Sequence, residues 1–168
     1  MWSPSPALLS LVAAVWAWVP GRTLPAQSPA LDACSVLTRE EIAAVSSQDP
    51  GDPDPGGSGP STTCRWGGAA PAARIALYAN VDPEEPKGLA LKQLLDRGMN
   101  ARAIADLGDD AVFLAADGET PSGTVFVRVG HWRVVITRNA EPKAAAESTL
   151  PTLTALARAA IPKLRRAG

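Results

Sequence analysis

One histidine, two cysteines and two short carboxylate clusters are the side chains whose types bear most directly on chemistry. His131 follows Gly130 between two runs rich in β-branched residues, which is the pattern of a hairpin tip. Nucleophilic catalysis needs a base held by a third group, and the neighbouring sequence offers none, so His131 reads as a turn residue. Asp49, Asp52 and Asp54 supply oxygens of the kind a hard cation takes. A calcium loop, however, alternates its ligands, places glycine mid-loop and closes with a bidentate glutamate. Here prolines interrupt each step and that glutamate is missing. Asp109 and Asp110, within Leu107-Gly108-Asp109-Asp110-Ala111, suggest paired acid/base chemistry. Adjacent strand residues point to opposite faces, so the pair suits a turn in which carboxylates accept backbone N–H bonds. No Cys/His spacing fits zinc, and no phosphate loop or dinucleotide fingerprint is present. The residues therefore predict no catalytic, cofactor-binding or metal-binding set, no cofactor and no enzyme.

Cys34 and Cys64 carry a different expectation. They follow an N-terminal run, residues 7–19, of thirteen apolar or small residues ended by Pro20 and Gly21. That length is short for a membrane span and matches the apolar core of a signal peptide, although no Lys or Arg precedes it. Residues 1–26 read as a signal peptide, or as an anchor if uncleaved, with the mature chain starting between residues 22 and 31. Two cysteines in an oxidising compartment most simply pair with each other. Leu31-Asp32-Ala33-Cys34 superficially resembles a lipobox, but Asp32 is ill suited there and the apolar run ends well upstream. A Cys34–Cys64 disulfide is the expected outcome.

Residues 27–168 must build one domain. Thr38-Arg39-Glu40-Glu41 is a capping box, with Leu37 and Ile42 placed as a hydrophobic staple, and predicts a helix of about two turns burying Ile42 and Val45. Residues 49–62 are dominated by Asp, Pro, Gly and Ser and predict a disordered loop. Strands are expected over 64–66, 73–81, 111–115, 124–129 and 132–138. Gly130-His131 should join the last two in a type II′ hairpin. A helix over 88–97, entered through Pro83 and closed by Gly98, is expected to bury Leu91, Leu94 and Leu95. A terminal helix should begin near Thr149 and kink or lose regularity at Pro162. The order α-β-β-α-β-β-β-α predicts an α+β fold: a mainly antiparallel sheet of four to five strands, helices packed on one face, and one disulfide.

Sixteen basic against 17 acidic residues, a net charge of −1, remove the electrostatic reason to expect nucleic acid. Lys163, Arg165 and Arg166 form the local basic cluster, placed to complement a helix dipole. Trp66 and Trp132 suit a core or sheet face. Together with Tyr78 and Phe126 they are the aromatic candidates for a ligand or partner face.

Asp32-Ala33-Cys34-Ser35-Val36-Leu37-Thr38 with Glu41-Ile42, Cys64-Arg65-Trp66, Leu107-Gly108-Asp109-Asp110-Ala111, Val125–Gly130 and the closing Leu/Ala helix occur in a familiar order. Over about residues 32–165 the chain resembles a family of exported bacterial domains of unknown function, often actinobacterial lipoproteins. The resemblance implies a disulfide-bonded cell-envelope α+β domain and carries over no catalytic residue. The chain departs from that pattern in lacking a convincing lipobox and in having Ser46-Ser47 where glycine often closes the first helix. The expectation is a secreted or periplasmic, cell-envelope module, binding an unknown protein partner or small ligand. Membrane contact is expected only if the N-terminal segment is retained. A hydrolase-type envelope enzyme and a purely structural accessory domain are the alternatives.

Overall fold

The computed structural model describes residues 31–58, 61–67, 75–81, 93, 95–97, 99–116, 121–140 and 144–168, with the backbone alone for 76–81. The apolar run at 7–19, the cleavage region, and Pro83, Leu91, Leu94 and Gly98 lie outside these residues.

Capping explains the first elements. Asp32 accepts from the Cys34 N–H at 2.9 Å and starts a one-turn helix, α1 (Ala33–Val36), that the sequence reading did not anticipate. Thr38 then opens α2 (Arg39–Ser46) with the full predicted box: Thr38 Oγ1 accepts from Glu41 N–H, and the Glu41 carboxylate accepts from Thr38 N–H. Such a cap stabilises a short helix by about 1 kcal/mol. Leu37 and Ile42 are fully buried and Val45 packs against the core more loosely.

Among the described residues seven antiparallel strands follow: β1 (Asp54–Ser58), β2 (Ser61–Trp66), β3 (Ile75–Val81), β4 (Asn100–Ala103), β5 (Asp110–Ala116), β6 (Ser122–Val129) and β7 (Trp132–Asn139). Their order is β1-β2-β3-β7-β6-β5-β4, so β3 joins a two-stranded hairpin to a four-stranded block. Gly130 at φ 60° is followed by a residue outside the left-handed region, the φ pattern of the expected type II′ turn. A 3-10 turn (Ala146–Thr149) leads into α3 (Leu150–Ala167), which has Pro151 in its first turn. The α+β class, the antiparallel pairing and the helices on one face are as the sequence implied.

Three details differ. The segment 49–62 is not a loop throughout, because residues 54–58 pair with 61–65 as an edge strand. All five β1 residues are exposed, so backbone pairing, not apolar burial, holds it, and an edge position tolerates Pro55. The short β4, with one half-buried residue in four, likewise carries no apolar signal and raises the strand count. Helix α3 continues past Pro162 to Ala167. Pro162 is exposed, so water can satisfy the Arg158 carbonyl that its missing N–H leaves without a donor. Within 88–97, Gln93, Leu95 and Asp96 are helical, but Leu95 is half exposed and lies outside any buried stripe.

The core sits between the sheet and the helices. Leu153, Leu156, Ala160 and Leu164 recur at helical spacing on α3 and are buried with Phe113, Val125, Val127, Val134 and Ile136. Gly123 is required where the terminal helix seats: a Cβ there would lie 1.8 Å from Thr149 Oγ1.

Candidate functional site

The disulfide is present. Cys34 and Cys64 are bonded with Cα atoms 5.0 Å apart, within the range the bond requires. Asp32, by capping α1, fixes the turn that carries Cys34, and Thr62 ties the same turn to β2. Its hydroxyl donates to the Leu31 carbonyl and accepts from Ala33 N–H. Cys64 and Trp66 are two residues apart on β2 and both are fully buried, so the Cys-x-Trp element belongs to the core.

The Gly108-Asp109-Asp110 turn locks onto the β6–β7 hairpin. Gly108 takes φ 68°, and a Cβ there would lie 2.5 Å from the Arg128 carbonyl. Asp109 N–H donates to that carbonyl at 2.8 Å, while its carboxylate accepts from Gly130 N–H at 2.7 Å. Asp110 begins β5 opposite Arg128. The Asp109 carboxylate is thus engaged by the hairpin turn, while Asp110 takes its place in the strand register. His131 sits beside Trp132, ring centroids 4.7 Å apart.

The aspartates at 49–54 meet arginines. Arg39 bonds Asp49 through two nitrogens, at 2.6 and 3.0 Å, and reaches Asp52 at 3.1 Å. Asp54 lies 3.9 Å from Arg65. The Arg39 hydrogen bond, followed by that from Gly51 N–H, holds the Asp49 carboxyl below its ordinary range, and the guanidinium is correspondingly raised. Among the described residues no three His, Cys, Asp or Glu side chains gather as a metal would require. No described helix is long and apolar enough to cross a membrane.

The four aromatic candidates separate. Trp66 and Trp132 are buried on the helix side, at 1% and 3% exposure. The Trp132 indole N–H has no hydrogen-bond partner among the described residues. Phe126 lies on the other side of the sheet. Strand register places Tyr78, Val135, Phe126 and Val112 in one row across β3, β7, β6 and β5. The backbone alone assigns Tyr78 to that row, since its side chain is outside the description. Val112 is 2% exposed yet stands apart from the helix-side core cluster, as strand alternation requires. Flanking this row are a polar one, where Thr124 and Thr137 hydroxyls meet at 3.1 Å, and a charged one of Arg133, Arg128 and Asp110. Single-residue hydropathy does not separate Trp66 from Phe126; only the period-two alternation, counted from a strand whose buried side is known, does so.

No protein-family model, no curated protein and no solved structure matches this chain.

Proposed function

We propose that the chain is an exported, non-enzymatic domain, secreted or held in the cell envelope, that binds a protein partner or small ligand through the sheet face turned away from its helices. The observation that carries this reading is the half-buried pair Phe126 and Val135, opposite each other on β6 and β7 and turned away from the helix-side core, with Val112 buried at one end of their row. An apolar strip with a polar row on one side and arginines on the other has the composition of a recognition surface. Export rests on the apolar run at 7–19 with a disulfide that persists in oxidising compartments. The likeness of Asp32-x-Cys34, Cys64-x-Trp66 and the Gly108-Asp109-Asp110 turn to exported bacterial domains points the same way. Of the carboxylates weighed for metal or acid/base work, Asp49 is engaged by Arg39 and Asp109 by a backbone N–H. The test is native mass spectrometry of the mature protein from its own host, alongside the variant Phe126→Ser/Val135→Ser. A retained ligand or partner lost in the folded variant supports the proposal. A bare monomer, or an adduct indifferent to both substitutions, overturns it.

A further inference from the structure

Helix α3 carries Arg158, Lys163, Arg165 and Arg166 and no carboxylate, in a chain whose net charge is −1. Lys163 is engaged, bonding Glu41 of α2 at 2.6 Å. The three arginines are exposed and make no hydrogen bond or ion pair among the described residues. The helix dipole accounts for cations in the last turn, Arg165 and Arg166, but its influence fades beyond that turn. Arg158 lies seven residues before Arg165, about 10 Å along the axis, and needs another explanation.

Spacing places Pro151, Ala155, Arg158, Pro162 and Arg165 on one stripe, opposite the buried leucines. This stripe therefore points away from the sheet. It offers cations without a large exposed apolar side chain, so any contact it makes is electrostatic and peripheral, not inserted. It also lacks the aromatic platforms on which single-stranded nucleic acid stacks. A disulfide persists in compartments outside the cytosol, and in the exported setting proposed above a leaflet rich in anionic phospholipid is a surface such a stripe could meet. Exposed carboxylates on the helical elements, Asp32, Glu40, Asp96 and Glu147, stand on other elements than α3, and Glu147 is bonded to Arg102.

We propose that the outer face of α3 rests on an anionic phospholipid surface through Arg158, Arg165 and Arg166. This orients the sheet face carrying Phe126 away from the membrane. Both the orientation and the choice of a bilayer rest on the export proposed above; neither depends on what the Phe126 face binds. Three cations support a weak, salt-labile contact, not a stand-alone anchor.

The test is sedimentation of the full chain with phosphatidylcholine vesicles and with mixed phosphatidylcholine–phosphatidylglycerol vesicles at low salt. Neutral vesicles report any contribution of the apolar run at 7–19, so the anionic excess isolates the cationic stripe. That excess should be about tenfold or more and should vanish at high salt. The variant Arg158→Gln/Arg165→Gln/Arg166→Gln should bind both vesicle types equally, while Arg65→Gln/Arg97→Gln should retain the preference. Equal binding of the wild type to both vesicles, a preference that survives the triple substitution, or preferential binding to a single-stranded polynucleotide would each overturn the proposal. None of these results bears on adduct loss in Phe126→Ser/Val135→Ser, so the two proposals fail separately.

Discussion

Ser47 closes α2 in the left-handed region, at φ 56°, a conformation that costs an L-residue about 1–2 kcal/mol and glycine nothing. The neighbouring Ser46 hydroxyl donates to the Ile42 carbonyl at 2.8 Å and shields that end of the helix, but the strain at 47 remains. Ser47→Gly should therefore stabilise the domain by about 0.5–1 kcal/mol, once the greater unfolded-state freedom of glycine is deducted. Denaturant unfolding checks this, and a loss of stability would show that the Ser47 side chain contributes more than its backbone costs. The disulfide acts at the same scale. Cys34 and Cys64 are 30 residues apart, and opening such a loop costs about 3–4 kcal/mol in the chain-entropy model. The Cys34→Ser/Cys64→Ser protein should melt well below wild type. An unchanged midpoint would mean that packing of α1 on β2 suffices alone. Residues with short-range signals were the most legible. The Thr38–Glu41 box and the Gly130 turn are local hydrogen-bonding and φ requirements, and local sequence is where such requirements are written. Cys34–Cys64 was legible because two cysteines leave one intrachain pairing.

Elements held by their neighbours were harder to read. Strand β1 has the composition of a loop and forms because its backbone can add to β2, whose Cys64 and Trp66 are fixed in the core. Strand propensity describes fit to a half-buried surface, and β1 buries nothing. Docking of α2 on α3 is equally invisible in sequence, since Glu41 and Lys163 are 122 residues apart. Partial burial pushes the Glu41 carboxyl up. The hydrogen bond from Lys163, the Thr38 N–H and the lysine charge together outweigh this and leave it below the ordinary glutamate range. A carboxyl depressed in the folded state adds stability that is complete above its unfolded pKa and is lost as pH falls through its folded one. With the side chains 33% and 26% exposed, screening limits the pair to about 1 kcal/mol. Lys163→Met should lose about that much at neutral pH and show a shallower decline between the unfolded and folded Glu41 values. An acid profile parallel to wild type would assign the depression to the Thr38 cap alone.

At the scale of the whole molecule, one sheet divides the chain into a helix-covered core and an opposite face, and this division sorts the aromatic candidates. Trp66 and Trp132 went to the core; Phe126 and the Tyr78 backbone position went to the other side. The fold class was readable because period-two strands and a period-3.6 helix each have one apolar side that must meet another. The candidate site was only partly readable, because the strand order, which brings β7 between β3 and β6, is set by long-range pairing that no window of sequence contains. The central claim is that the face carrying Phe126 meets a partner outside the cell's cytosol. The most direct measurement places a photoreactive phenylalanine at position 126, and separately at the exposed Ala44 on α2, in the producing cell, followed by irradiation and fractionation. The account predicts an exported, disulfide-bonded protein with a discrete crosslinked adduct from position 126 and none from position 44. Reduced protein in the cytosolic fraction, or adducts arising equally from both positions, would contradict it.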